Sequence, residues 1–258
     1  MASSDERKHA VLIAYDAMAA PGHTLTLSAD LMEEGFITHP PLGGEVLLFQ
    51  YKGGTLGRTM TGGDGRALLS FVPRVTGVEK VTVRVVDSRR VSAVEATAKI
   101  FVWDRRRPIV IVSLPALAPP LRRDFLPPGS SDQLPGPEGG AVQALLSLAR
   151  RANLVYVITK DRLELPEARQ WTEQHRLPAG PIFALKPSPH GLVSELETWR
   201  REGWTNIKGG LIGTAEEAKA FVEKGLKAVA VPTASSKEKW PEKTVTTTDW
   251  KEVAKQLS

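Results

Sequence analysis

Pro108-Ile-Val-Ile-Val-Ser-Leu-Pro-Ala-Leu117 is the stretch on which the chain turns. Upstream of it the sequence reads as short alternating strands, and downstream as strands and helices in succession. An apolar run that stops abruptly at a Pro-containing loop suits the first strand of a parallel sheet, delivering its loop to the carboxyl edge where such sheets do their chemistry. The loop itself, Ser113-Leu-Pro-Ala-Leu117, carries no carboxylate, no imidazole and no other metal ligand.

Working outward, residues 1–104 read as an all-β domain and 105–258 as an α/β domain. In the first, Leu25, Leu27, Ala29 and Leu31 alternate with polar residues, a period of two. Glu45–Tyr51, Thr55–Thr59, Arg66–Val72, Lys80–Val86 and Val94–Val102 follow at short spacing. The turn Thr61-Gly-Gly-Asp-Gly65 separates two of them. Roughly seven strands with turn signals between them predict a β-sandwich.

Trp103-Asp-Arg-Arg-Arg-Pro108 is the short charged junction. Beyond it, Ile109–Val112, Leu154–Ile158, Pro181–Leu185, Ile207–Ile212 and Lys227–Val231 are five expected strands. Helical patterns lie between and after them. The first has Val142, Leu145, Leu146 and Ala149 on one face, and another has Leu192, Leu196 and Trp199 inward. Pro166 opens a helix, and Thr214 with Glu217 forms a capping box at the start of Ala215–Lys224. Such alternation predicts a five-stranded parallel sheet with helices on both faces. The Pro-, Gly- and Ser-rich segment Ala118–Pro137 is long enough to be a functional loop.

Composition bounds the rest. Of 258 residues 41% are apolar and 24% charged, the balance of a globular protein. No run of about 18 apolar residues occurs, and Val11–Tyr15 is too short for a signal h-region, so a cytoplasmic protein is expected. The absence of cysteine excludes disulfides and thiolate zinc sites. Net charge is +5, with arginines clustered at 105–107, 122–123, 150–151 and 200–201. Clusters of this kind attract phosphate or an anionic membrane surface, although solvated faces are the simpler reading. No aromatic residues interleave with them, so nucleic acid is not an expected partner.

Two resemblances sharpen these expectations. Gly44-Glu-Val-Leu-Leu-Phe49, Leu56-Gly-Arg-Thr59 and Thr61-Gly-Gly-Asp-Gly-Arg-Ala67 resemble bacterial immunoglobulin-like domains, which implies a spacer or docking module. Val155-Tyr-Val-Ile-Thr159, Arg169-Gln-Trp171, Leu177-Pro-Ala-Gly-Pro-Ile182 with Lys186-Pro187, and Leu211-Ile-Gly213 followed by Ala220–Gly225 resemble the haloacid-dehalogenase superfamily. The nearest likeness is its lipin and actin-patch phosphatidate phosphatase branch. That resemblance implies a Rossmann-like sheet and phosphoester hydrolysis with an Asp nucleophile, an Asp acid/base and Mg²⁺ held by further aspartates.

At the matching positions those groups are missing. Ser113 stands for the nucleophile and Pro115 for the acid/base, while Thr214 and Ala218 stand for the metal-binding acids. Only the phosphate-binding hydroxyl, Thr159, is kept. Mg²⁺ needs carboxylate oxygen that these positions do not supply, and a serine nucleophile needs an adjacent base. The reading is therefore a degenerate hydrolase, a pseudoenzyme without metal or cofactor, retained for binding or scaffolding. Its partner would be a protein, a phosphorylated ligand or a lipid headgroup. Ser113, Thr159, Lys160, Lys208 and Gly213 are the candidate ligand-binding residues, with Asp161 beside them. Three alternatives remain open: a phosphoester hydrolase with non-standard residues, a triad of Ser113, His190 and Glu216 or Glu217, and a structural assembly component whose sandwich edges pair with other strands.

Overall fold

The structure, a computed structural model, describes residues 7–35, 38–92, 94–118, 135–159, 164–186, 190–231 and 239–257. The chain divides into two compact units, Met1–Asp104 and Arg105–Ser258.

The first unit consists of two sheets around one core. Strands β1 (Ala10–Ala14), β3 (Leu25–Glu33) and β6 (Arg66–Phe71) form a three-stranded antiparallel sheet in the order β1-β3-β6. The other sheet has the order β2-β8-β7-β4-β5, built from β2 (Ala17–Ala19), β4 (Val46–Tyr51), β5 (Gly54–Met60), β7 (Gly77–Val86) and β8 (Glu95–Val102). Alternation places Leu25, Leu27, Ala29 and Leu31 in a shared core with Leu47, Phe49, Val81, Val83, Ile100 and Val102. On the opposite side of β3, the fully buried Asp30 accepts hydrogen bonds from the Tyr15 hydroxyl (2.7 Å) and Arg66 Nε (2.9 Å).

The second unit is a six-stranded parallel sheet in the order β11-β10-β9-β12-β13-β14. Its strands are β9 (Ile109–Ser113), β10 (Asn153–Ile158), β11 (Ile182–Ala184), β12 (Ile207–Ile212), β13 (Lys227–Ala230) and β14 (Thr244–Thr246). Every residue of β9 is buried, because a strand flanked on both sides and covered above and below has no polar face. Helices α1 (Ala141–Ala149) and α5 (Trp250–Gln256) pack on each other, as do α3 (Gly191–Arg201) and α4 (Ala215–Glu223), while α2 (Leu165–Gln174) lies by β11. Gly210 permits the close approach of α4 to β12. A Cβ there would lie 2.3 Å from Phe221 Cζ and 3.0 Å from the Ile111 carbonyl oxygen.

The expected fold, an immunoglobulin-like sandwich of about seven strands followed by a five-stranded parallel Rossmann-like sheet with helices on both faces, is corrected here. The described chain is mainly β, with three sheets and five α-helices; eight strands precede residue 104, and the parallel sheet has six strands, its helices packing as two pairs and a single. The unforeseen strands, β2 and β14, are three residues each, too short to show a period. A second correction concerns α1. Its buried stripe is Ala141, Ala144, Leu145 and Leu148, while Leu146, expected inward, is 47% exposed. Small residues on the inner face let α5 come close, with Gly140 packed on the Trp250 ring.

A parallel sheet gathers every helix C-terminus at the amino edge of its strands, and the basic residues follow. Arg107 Nη2 donates to the Ala149 carbonyl (2.6 Å) at the end of α1, and Arg105 Nη2 to Glu202 (2.6 Å) just beyond α3. Arg200 Nη2 donates to Lys224 (3.2 Å) beyond α4, and Lys227 Nζ to Gln256 (2.8 Å) at the end of α5. Terminal carbonyls lack partners within their own helix, and cations beside them oppose the negative end of the macrodipole.

Candidate functional site

The chain runs β9, β10, β11 in one direction across the sheet and then returns to place β12 on the other side of β9. Loops leaving β9 and β12 therefore diverge to opposite sides, and a crevice opens between their carboxyl ends. Ser113 ends β9, Thr159 follows β10, and Gly213 and Thr214 follow β12. After Ser113 a short 3₁₀ turn, Leu114–Ala116, folds in, and Gly213 has no side chain to obstruct it: a Cβ there would lie 3.0 Å from the Ala116 nitrogen.

The crevice is filled by the chain's own carboxylate. Glu217 is the third residue of α4, and its side chain turns back over the helix start. The Ser113 hydroxyl donates to Glu217 Oε1 at 2.8 Å and the Thr159 hydroxyl to the same oxygen at 3.3 Å. Oε2 accepts from the Gly213 amide at 2.8 Å and the Thr214 amide at 3.2 Å. The Thr214 hydroxyl accepts in turn from the Glu217 amide at 3.2 Å, completing the capping box. Four donors from three elements thus converge on two oxygens that are 4% exposed as a residue, while Ser113 is 1% exposed.

Burial pushes the Glu217 carboxyl up from its ordinary value, and the four donors pull in the other direction. No described cation pairs with it. The charge is answered instead by hydrogen bonds and by the positive end of α4.

Beside Glu217 lies a cavity of about 80 Å³ whose walls include Thr159, Lys186, Thr214 and Glu216. Small-molecule sites usually measure about 300–1,000 Å³, so this space is on the scale of water rather than of a metabolite.

The candidate ligand-binding residues therefore fall into three groups. Ser113, Thr159 and Gly213 do come together, around Glu217. Lys208 is exposed near the amino end of β12, roughly 16 Å along the strand from Gly213, and takes no part. Lys160 and Asp161 lie outside the described residues, as does the stretch 119–134 of the long loop. Pro115 sits in the 3₁₀ turn, Thr214 caps α4, and Ala218 is fully buried on α4. His190 is exposed at the start of α3 and does not line the cavity, so Ser113 has a carboxylate partner but no imidazole.

A magnesium ion does not suit this arrangement. The buried carboxylate is surrounded by hydrogen-bond donors, the complement of an anion, whereas Mg²⁺ requires several oxygens aimed at one point. Among the described residues no group of three His, Cys, Asp or Glu side chains is placed to hold a metal. Sequence reading identified Glu217 as a capping residue but not as the occupant of the crevice. The available signal was a glutamate three positions after Thr214.

No family model matches the chain, and no curated protein matches it. Solved structures show weak likeness. The fibronectin(III)-like modules of Clostridium thermocellum CbhA match with a TM-score of 0.27 at 15% identity, over 37% of this chain and 47% of that one. The titin M3 domain gives 0.27 at 11% identity, over 37% and 97%. A family 123 glycoside hydrolase from Clostridium perfringens gives 0.23 at 11% identity, over 81% and 55%. Likeness at this level assigns neither family nor activity.

Proposed function

We propose that this protein is a catalytically inactive relative of phosphoester hydrolases, working in the cytoplasm as a binding or scaffolding protein. One observation carries the reading: the crevice that would receive a phosphate is occupied by Glu217, which takes up the two hydroxyl and two amide donors such a ligand would need. A phosphate arriving there would meet a buried carboxylate, and like charges in a low-dielectric crevice repel strongly. Ser113 is too buried to reach a substrate, and its nearest base is already fully engaged. The cytoplasmic setting follows the sequence, and no described helix is long and apolar enough to cross a membrane.

The test is direct. Purified full-length protein is incubated with an aryl phosphate and Mg²⁺, and product is followed over many hours. No turnover above the blank is expected. Turnover that Ser113→Ala abolishes would defeat the proposal and restore the hydrolase with non-standard residues.

A further inference from the structure

The same parallel order that closes one end of the sheet concentrates positive charge at the other. Arg107 precedes β9, Arg150 and Arg151 precede β10, Arg201 and Lys208 flank the start of β12, and Lys227 begins β13; all six are exposed. These four strands are adjacent in the sheet, and at about 4.8 Å per strand they span roughly 15 Å. Widely separated arginine clusters in the sequence thus become one strip. Exposed carboxylates interrupt or border it, among them Glu202, Glu223, the latter 3.9 Å from Lys219, and Glu242 just before β14. Arg107 and Lys227 each give a hydrogen bond to a helix-terminal carbonyl, but both keep their full charge and further donors.

We propose that this amino-edge strip docks the protein on an anionic lipid surface. The geometry favours a bilayer over a nucleic acid. No described Phe, Tyr or Trp side chain is exposed: Trp199 and Trp204 are each 2% exposed and Trp240, just before β14, is half-buried, so no row of open rings among the described residues is available to stack single-stranded bases. The elements that reach the edge are helix C-termini and strand starts, not a helix or ribbon lying lengthwise in a duplex groove. Helix C-termini also disfavour a phosphate held tightly against the backbone. What remains is attraction through long basic side chains, which a layer of anionic headgroups answers without a pocket. The inference rests on the binding reading for its role and gives that role a face and a partner.

The experiment is co-sedimentation of the full chain with phosphatidylcholine vesicles, with and without about one-third phosphatidylserine. Binding is expected only to the anionic vesicles, falling steeply with salt. The triple variant R150Q/R151Q/K208Q should bind about a hundredfold more weakly, at roughly fivefold for each charge removed near the surface. A control triple on the first unit, K80Q/R84Q/R89Q, removes equal charge and should retain binding; melting curves of both variants show that they fold. Equal binding to neutral vesicles, no loss in the amino-edge triple, equal loss in both triples, or binding to duplex DNA without binding to vesicles would each overturn the proposal. Phosphatase turnover with vesicle binding intact would defeat the preceding section alone, and absent vesicle binding without turnover would defeat this one alone.

Discussion

Replacing Glu217 with alanine isolates what the crevice contributes. The carboxylate receives hydrogen bonds from Ser113, Thr159, Gly213 and Thr214. Bonds to a charged group contribute about 1.5–3 kcal/mol each, but the cost of burying the carboxylate offsets a large part of their sum. The variant recovers that cost and loses the cap, worth about 1 kcal/mol, while leaving the Ser113 hydroxyl buried without its partner at about 1–3 kcal/mol. A net loss of about 3 kcal/mol follows. For a unit of this size each kcal/mol moves the melting temperature by about 2–4 °C, so calorimetry should find the second unit melting about 6–12 °C lower. Acetate or formate should restore part of the loss in Glu217→Ala and none in the parent, because a free anion can then fill the vacated cradle; at a hundred times its Kd it returns about 2.7 kcal/mol. A shift below about 1 °C, or rescue equal in parent and variant, would refute the claim that the four donors define an anion cradle.

Two further outcomes follow. Burial raises the Glu217 carboxyl above its ordinary 4.5, so between 4.5 and that raised value the folded chain holds a proton that the unfolded chain releases. The stability this group contributes is full below 4.5 and declines as pH rises through the raised value. The stability difference between the parent and Glu217→Gln, measured by urea titration from about pH 4 to about pH 7, should therefore shrink with rising pH, and a flat difference would contradict the assignment. Gly210→Val should cost more than about 3 kcal/mol or prevent the second unit from folding, since its side chain would strike Phe221 and the Ile111 carbonyl; an expressed variant with a parental melt would show that α4 does not pack on β12 as described.

The parts of this structure that could be read from sequence are those written in local patterns. The alternation of β3 and the unbroken apolar run of β9 identified their strands, and Leu192, Leu196 and Trp199 indeed face inward on α3. Thr214 and Glu217 form the capping box that their spacing implied. What escaped depends on distance along the chain. Ser113 and Glu217 lie 104 residues apart, and no local rule connects a strand-end hydroxyl to a capping glutamate on a helix that follows a different strand. The arginine clusters were equally opaque, since their carbonyl partners are brought within reach only by the order of a finished sheet. In α1 two apolar stripes compete over nine residues, and packing against α5 rather than periodicity decides between them.

The placement of Glu217 also bears on which substitutions the crevice tolerates. An aspartate introduced at position 113 would project into a crevice already holding a buried carboxyl group, and the two would destabilise one another until the glutamate was also removed. Each single change is harmful taken alone: one introduces charge repulsion, the other strips donors of their acceptor. The capping glutamate therefore works as a ratchet: positions 113 and 217 can change together far more readily than one at a time.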